Sequence, residues 1–272
     1  MLSERVLRGL TRIPGALSFW CHFPVGSLDL RVRYGIFSRP HYAYGVYTAA
    51  ELAARLNIPA ISVVEFGVAG GRGLVALESI ATEVSSVLGV KISVYGFDTG
   101  AGMPAPLDYR DVPHVWGEGF YKMDEEGLKR SLKQAFLILG DVASTVPAFL
   151  QNRQLPPIGF VAFDLDYYSS TKNAMRLFEG APESRLPRVR CYFDDIIGEN
   201  ACHNEYIGEL CAIREFNIEH MHLKVCPIHM LSHVRQHPAA WNEQMYVLHD
   251  FQHPLYCVNI TPKTELATQL PR

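Results

Sequence analysis

Apolar residues follow two different patterns along the chain, one typical of buried strands and one typical of helices. From about residue 60 to 220, short runs rich in Val, Ile and Phe alternate with stretches of helical spacing. Apolar runs of this length predict buried strands, and their alternation with helices predicts a parallel sheet with crossover helices. The predicted strands are 61–66, 92–97, 135–139, 158–164 and 188–194. The predicted helices are 72–88, 124–134, 143–152, 171–179 and 201–216.

Two further strands, about 218–226 and 243–250, close the predicted sheet. The expected fold class is therefore α/β, with a Rossmann-like, mostly parallel sheet of seven strands. Residues 1–58 predict a helical and irregular N-terminal extension, and residues 59–272 predict the domain that contains the sheet. Residues 2–12 predict a short amphipathic helix that packs against this domain or against a second copy of the chain, which allows a homo-oligomer.

Composition narrows the class of protein. The 272 residues are 48% hydrophobic and 19% charged, with a net charge of −3, which is ordinary for a soluble protein. This charge gives no sign of a nucleic-acid partner. No apolar run approaches the roughly 18–20 residues of a membrane span. Six cysteines lie scattered without a C-x-x-C pair, which favours free thiols in a reducing cytoplasm.

Acidic residues stand at the carboxyl ends of the predicted strands. They are Glu65, Asp98, Asp164 and Asp194, and Gly140–Asp141 follows the remaining strand. In open α/β sheets, ligands bind beyond these strand ends. A row of acids there is costly unless it meets hydroxyls, amines or a cation. The pattern therefore predicts a binding site at this edge of the sheet.

The segment ISVVEFGVAGG at 61–71 predicts a strand that enters a glycine-rich loop and then a helix. Glycines there let the backbone approach a ligand, and the helix start offers free N–H groups. The order G-x-x-G-G-x-G from Gly67 to Gly73 differs from the dinucleotide fingerprint G-x-G-x-x-G, which disfavours a nicotinamide site. Glu65, two residues before Gly67, instead resembles the first motif of class I S-adenosylmethionine (SAM) methyltransferases.

Two other acids fit the cofactor hypothesis. Asp98 ends the second strand, where an acid accepts hydrogen bonds from ribose hydroxyls. Asp141 is placed to accept a hydrogen bond from an adenine amino group, or to cap the helix that follows, and the two roles are compatible.

Asp164 and the pair Asp194–Asp195 end two strands that we expect to be neighbours. Three carboxylates that converge in this way repel one another without a cation. Carboxylate oxygens with no thiolate or imidazole in the motif suit Mg²⁺, with Mn²⁺ or Ca²⁺ as alternatives. The other interpretation is that the acids separately cap helices and form salt bridges.

Four motifs together carry a family resemblance: EFGVAGG at 65–71, GFDTGAGMP at 96–104, FDLDYYSST at 163–171 and FDD at 193–195. In this order and spacing they resemble the macrocin O-methyltransferase family, over roughly residues 40–216. The resemblance implies the class I methyltransferase fold, SAM and a metal ion as cofactors, and a hydroxylated small molecule as acceptor. That family methylates sugar hydroxyls of natural products.

The resemblance also implies roles for single residues. Asp164, Asp194 and Asp195 would bind Mg²⁺ and Asp166 would be the general base, although exchanged roles for Asp164 and Asp166 stay open. The segment RPHYAYGVY at 39–47 resembles the N-terminal cover of related enzymes and suggests a cofactor contact for Tyr44. The expected cofactor-binding set is Glu65, Gly67, Ala69, Gly71, Asp98, Thr99, Gly140, Asp141, Asp164 and Tyr44.

These assignments predict metal-dependent O-methylation. Mg²⁺ would chelate two acceptor oxygens and lower the pKa of a hydroxyl, and Asp166 would remove its proton before attack on the SAM methyl group. The long irregular segment 99–123 would cover the acceptor. Its aromatic residues Trp116, Phe120 and Tyr121 either stack on a ring of the acceptor or pack within the loop.

Three other functions stay open at this point. One is a metal-independent SAM methyltransferase with a nitrogen or other acceptor. Another is a protein that binds SAM without turnover, which the retained acids disfavour. A nicotinamide oxidoreductase is the last, and the glycine spacing argues against it.

Overall fold

Seven strands form one sheet in the computed structural model, which describes residues 13–152, 154–197 and 203–261 together with Gly9 and Thr11. The strands are β1 (Ala60–Phe66), β2 (Lys91–Asp98), β3 (Phe136–Leu139), β4 (Ile158–Phe163), β5 (Arg185–Phe193), β6 (Leu223–Pro227) and β7 (Met245–Asp250). Their order across the sheet is β3-β2-β1-β4-β5-β7-β6. Strands β1 to β5 pair in parallel, and β7 is antiparallel to β5 and β6. The predicted seven-stranded, mostly parallel α/β fold is confirmed.

Helices cover both faces of the sheet. They are α1 (Ala16–His22), α2 (Leu28–Tyr34), α3 (Pro40–Arg55), α4 (Arg72–Leu88), α5 (Glu125–Ser131), α6 (Val142–Leu150), α7 (Tyr168–Met175), α8 (Gly208–Glu219) and α9 (Leu231–Val234). Short 3₁₀ turns lie at Tyr109–Asp111, Arg176–Glu179, Pro182–Ser184 and Ala240–Gln244. Among the described residues, no helix has the length and apolar character that crossing a membrane requires.

Each face of the sheet has its own apolar core. One core joins α3 and α4 to the sheet through buried residues such as Val46, Ala49 and Leu77. The other joins α6, α7 and α8 to the opposite face, with Val146 and Phe216 among its members. Helix α3 buries one side because its apolar positions recur at helical spacing. It therefore packs into the same core as the sheet, and the domain division at residue 58 stays a prediction.

Two helix starts differ from the sequence-based expectation. Helix α7 begins at Tyr168 rather than near Thr171, so Ser169 and Ser170 lie inside the helix. The buried side chain of Asp111 takes the capping role, since it accepts hydrogen bonds from the Ser169 N–H and hydroxyl, both at 2.8 Å. Helix α8 begins at Gly208 rather than near residue 201.

Two of the sequence-based predictions involve residues that the structure does not describe. Most of the helix predicted over 2–12 lies outside the described residues. The cysteines that the structure describes are all free thiols, as the sequence predicted, and Cys202 lies outside the described residues.

Candidate active site

A cavity of about 1140 Å³ opens at the carboxyl ends of the parallel strands. The glycine-rich loop after β1, the ends of β2, β4 and β5, and segment 99–123 form its walls. This is the edge of the sheet at which the strand-end acids predict a binding site.

Four phenylalanines occupy equivalent positions near the carboxyl ends of four neighbouring strands. Phe66, Phe97, Phe163 and Phe193 are register partners across β2, β1, β4 and β5. All four are fully buried, and the rings of Phe163 and Phe193 stack with centroids 4.6 Å apart. Each phenylalanine is the last or the second-to-last residue of its strand. The residues that follow therefore lie side by side at the carboxyl ends of the strands. Those residues are Gly67, Asp98, Asp164 and Asp194.

Gly67 in the loop after β1 and Gly73 in the first turn of α4 allow close approaches that another residue would block. A Cβ atom on Gly67, whose φ is 84°, would lie 1.7 Å from the carbonyl oxygen of Asp164. A Cβ atom on Gly73 would lie 1.8 Å from Oε1 of Glu65. The loop therefore lies tightly against the end of β4, and the first turn of α4 lies over the side chain of Glu65.

Glu65 is a buried acid with one carboxylate oxygen still available. The Tyr42 hydroxyl donates a hydrogen bond to Oε1 at 2.7 Å, whereas the buried Oε2 has no hydrogen-bond partner among the described residues. Burial, together with the negative charge of Asp164, raises the pKa of Glu65 to about 8, although the Tyr42 hydrogen bond and the positive charge of Arg39 oppose the shift. A positively charged donor in the cavity, such as an ammonium group, would satisfy Oε2.

Asp98 joins the end of β2 to the glycine-rich loop. Its Oδ2 accepts a hydrogen bond from the Ala69 N–H at 2.8 Å, and its Oδ1 accepts one from the Gly100 N–H at 2.7 Å. Each carboxylate oxygen has a second acceptor position, so Asp98 can shape the loop and also bind a hydroxyl. The Thr99 hydroxyl donates to the Gly102 carbonyl at 2.6 Å, which fixes the start of segment 99–123.

Asp141 caps α6, which is one of the two roles that the sequence predicts for it. Its Oδ1 accepts a hydrogen bond from the Ala143 N–H at 2.8 Å, and the residue also lines the cavity. Gly140 is outside the cavity lining, and its N–H continues the β2–β3 ladder by donating to the Asp98 carbonyl at 2.9 Å.

Asp164, Asp194 and Asp195 converge as the sequence predicts. One carboxylate oxygen from each residue can be chosen so that all three lie within 4.8 Å of one another. The convergence follows from the sheet, since β4 and β5 are parallel neighbours and the Asp194 N–H donates to the Phe163 carbonyl at 3.0 Å. The Tyr192 hydroxyl donates to Oδ1 of Asp194, and Gln244 Nε2 donates to its carbonyl at 2.6 Å.

The cluster is electrostatically unfavourable without a cation. Burial and the negative charges of Asp194 and Asp195 together raise the pKa of Asp164 to about 8. Burial and the Asp164 charge raise the pKa of Asp166 to about 7, and burial and the Asp166 charge raise that of Asp195. Hard oxygen donors at this spacing are the set that a divalent cation such as Mg²⁺ prefers. The residues present therefore fit a metal ion.

Asp166 lies beside this cluster in a strained backbone conformation. Its φ is 58°, in the left-handed region, and its N–H donates to Oδ2 of Asp195 at 3.1 Å. Its side chain lines the cavity. The hydrogen bond to Asp195 helps to hold a conformation that costs an L residue roughly 1–2 kcal/mol.

Segment 99–123 is a fixed loop that forms one wall of the cavity. Backbone hydrogen bonds join the Met103 N–H to the Phe120 carbonyl and the Gly119 N–H to the Met103 carbonyl, both at 2.8 Å. Trp116 and Tyr121 line the cavity, and their ring centroids are 6.1 Å apart. Phe120 does not line it and is about half exposed.

The structure does not bring Tyr44 to the cavity. Its ring packs 5.8 Å from that of Trp241, under the guanidinium of Arg235. Helix α3 instead contributes Tyr42 through Glu65, while Arg39, just before the helix, lines the cavity directly. Sequence reasoning missed both residues, although Arg39 and Tyr42 lie in the same RPHYAYGVY segment that suggested Tyr44.

Comparison with known proteins supports the fold. No protein family and no curated protein matches the chain by sequence. The chain is similar to the solved structure of CalS11, a calicheamicin methyltransferase, at 22% identity and a TM-score of 0.50, over 93% of this chain and 95% of that one. The O-methyltransferase NovP matches at 17% identity and a TM-score of 0.49, over 66% of this chain and 72% of that one. The likeness to CalS11 shows that the chain has the class I methyltransferase fold.

Proposed function

We propose that this protein is a SAM-dependent O-methyltransferase that acts on a hydroxyl group of a small molecule and uses Mg²⁺. The observation that carries the proposal is the meeting of Asp164, Asp194 and Asp195 beside Asp166, in the cavity that the glycine-rich loop borders. A cofactor loop and a cluster of hard oxygen donors in one cavity suit methyl transfer to a hydroxyl that a cation holds.

The glycine-rich side of the cavity suits SAM. Glu65 Oε2 would accept a hydrogen bond from the ammonium group of its methionine part, and Asp98 and Asp141 would accept from the ribose and adenine ends. Gly67, Ala69, Gly71 and Thr99 would contact the cofactor mainly through the backbone. Gly140 would support this wall through its hydrogen bond to the Asp98 carbonyl.

The cluster of Asp164, Asp194 and Asp195 suits binding of the acceptor hydroxyl through a cation. Asp164, Asp194 and Asp195 would hold the cation, which lowers the pKa of a coordinated hydroxyl and fixes its position. SAM brings the methyl group on a sulfonium, so little further activation of that group is needed. Asp166 would take the hydroxyl proton as the oxygen–carbon bond forms and the methyl–sulfur bond of SAM breaks, with S-adenosylhomocysteine as the leaving group. Trp116 and Tyr121 would cover the acceptor and exclude water.

The named activity of CalS11 favours a sugar acceptor. That protein is described as a TDP-rhamnose 3'-O-methyltransferase. A sugar offers neighbouring hydroxyls that can bind one cation together, and its apolar ring face can lie against Trp116 and Tyr121. We therefore expect a sugar or a sugar-bearing natural product to be methylated.

Calorimetry with SAM and NAD, with and without Mg²⁺, tests the cofactor assignment. We expect SAM to bind and NAD not to bind, and Asp98→Ala to weaken SAM binding because it removes the acceptor and releases the loop. Absence of SAM binding under all conditions would overturn the proposed function.

Separate variants test the metal and the base. Asp164→Asn should abolish Mn²⁺ binding, whereas Asp166→Asn should keep it and lower kcat by about 10²–10⁴-fold, the usual contribution of a general base. The reverse pattern would exchange the two roles. Full activity in EDTA would instead favour the metal-independent methyltransferase.

A further inference from the structure

We propose that Glu209 is a positioning residue that holds Asp195, and through it Asp166, in place; the proposal rests on the metal-dependent function above. Glu209 lies in the first turn of α8 and is fully buried. Its Oε2 accepts a hydrogen bond from the Asp195 N–H at 3.0 Å. Its Oε1, also buried, has no hydrogen-bond partner among the described residues.

The hydrogen bonds continue from Asp195 to Asp166. The Asp166 N–H donates to Oδ2 of Asp195 at 3.1 Å, which supports its left-handed backbone conformation. The start of α8 also lies near Asp166, because a Cβ atom on Gly208 would be 3.7 Å from the Asp166 carbonyl oxygen. Helix α8 therefore contacts both the proposed metal ligand and the proposed base.

The buried side chain of Glu209 places a hydrogen-bond acceptor opposite the Asp195 N–H. A buried carboxyl beside other carboxyls is costly, and burial together with the Asp195 charge raises the pKa of Glu209. Groups that hydrogen-bond to metal ligands orient them, and their loss typically weakens metal binding by about 10–100-fold. The direct link to Asp195 gives Glu209 this orienting role.

Two substitutions distinguish the effect of the position of the Glu209 acceptor from the effect of its negative charge. Glu209→Gln keeps a carbonyl acceptor at full side-chain length but loses the negative charge. Glu209→Asp keeps the charge but withdraws the acceptor from the Asp195 N–H. Glu219→Gln is the matched control, since Glu219 lies on the same helix, is half-exposed and pairs with Lys172.

The measurements are Mn²⁺ affinity, SAM affinity, and amide hydrogen exchange without metal in peptides that contain Asp166 and Asp195. We expect Glu209→Asp to weaken Mn²⁺ binding by about 10–100-fold and to speed exchange at both amides, while SAM affinity stays within twofold. Glu209→Gln should restore slow exchange and most of the Mn²⁺ affinity. Glu219→Gln should change none of the three.

Unchanged Mn²⁺ affinity and amide exchange in Glu209→Asp would overturn the proposal. Weak Mn²⁺ binding in Glu209→Gln with normal binding in Glu209→Asp would also overturn it, since Glu209 would then act through its charge. Normal Mn²⁺ binding by the wild type and its loss in Asp164→Asn would leave the proposed function standing in either case. A wild type that binds no Mn²⁺ would overturn both proposals.

Discussion

The side chain of Glu65 is enclosed by the protein, with 2% of the residue exposed, and this enclosure has a measurable consequence for folding. Its pKa is about 8 in the folded chain against an ordinary value of 4.5. Between these values the folded protein keeps a proton that the unfolded chain releases. The stability that this proton contributes is complete below about pH 4.5 and is lost as the pH rises toward 8.

Glu65→Gln should remove this dependence, because the amide resembles the protonated acid and still accepts from the Tyr42 hydroxyl. Denaturant unfolding in EDTA, without SAM, measures the free energy of unfolding of both proteins from pH 5 to pH 8. The wild type should lose up to about 1.4 kcal/mol per pH unit relative to the variant, the value for one proton. Parallel stability curves would show that the Glu65 carboxyl titrates normally.

The strands show which parts of the site could be predicted from the sequence. A strand buried on both faces is a short apolar run, so its end can be located to within about a residue, and the acid that follows is visible directly. Asp164 and Asp194 were found in this way, and the parallel pairing of β4 and β5 brings them together.

Other site residues depend on contacts between distant segments, which a local pattern does not contain. Tyr42 reaches Glu65 because α3 packs on the sheet, and Glu209 reaches Asp195 because α8 starts beneath it. Tyr44, from the same segment, packs against Trp241 away from the cavity, and its contact with a cofactor stays a prediction. The rotation of a helix about its axis is set by the core it covers, and α3 turns Tyr42 toward the sheet.

Asp111 is another residue whose role depends on a contact between distant segments. It anchors segment 99–123 to α7. Its buried carboxylate accepts hydrogen bonds from the Leu107 N–H, the Ser169 N–H and the Ser169 hydroxyl, each at 2.8 Å. Asp111→Ala leaves these donors unpaired and should loosen the segment. We expect the acceptor KM to rise about tenfold or more while SAM affinity changes little, a loss of about 1–3 kcal/mol for an unsatisfied buried group.

Steady-state kinetics with the identified acceptor, together with hydrogen exchange over 104–123, measures this effect. Asp108→Ala is the control, because Asp108 is exposed and pairs with Arg110 in the same turn. An equal change in both variants would show that the turn as a whole, rather than the Asp111 anchor, sets the acceptor KM.

At the scale of the whole molecule, a buried ion pair lies at the end of the sheet opposite the cavity. Arg185 begins β5 and Asp250 ends the antiparallel β7, so their ion pair lies at the edge away from the cavity. Their side chains are 5% and 2% exposed, and Arg185 donates to Oδ2 of Asp250 from Nε at 3.0 Å and Nη2 at 2.6 Å. This pair joins the antiparallel strands to the parallel part of the sheet.

Asp250→Ala leaves the Arg185 guanidinium buried without its carboxylate, and breaking a buried pair in this way costs about 3–5 kcal/mol. We expect the free energy of unfolding to fall by that amount, while kcat and KM measured well below the new Tm stay unchanged. The double variant Arg185→Met with Asp250→Leu should regain most of the stability, since neither charge then remains buried. If Asp250→Ala lowered kcat while the protein stayed folded, the two edges would be coupled, and the Asp194–Asp195 end of β5 would be the place to look for the change.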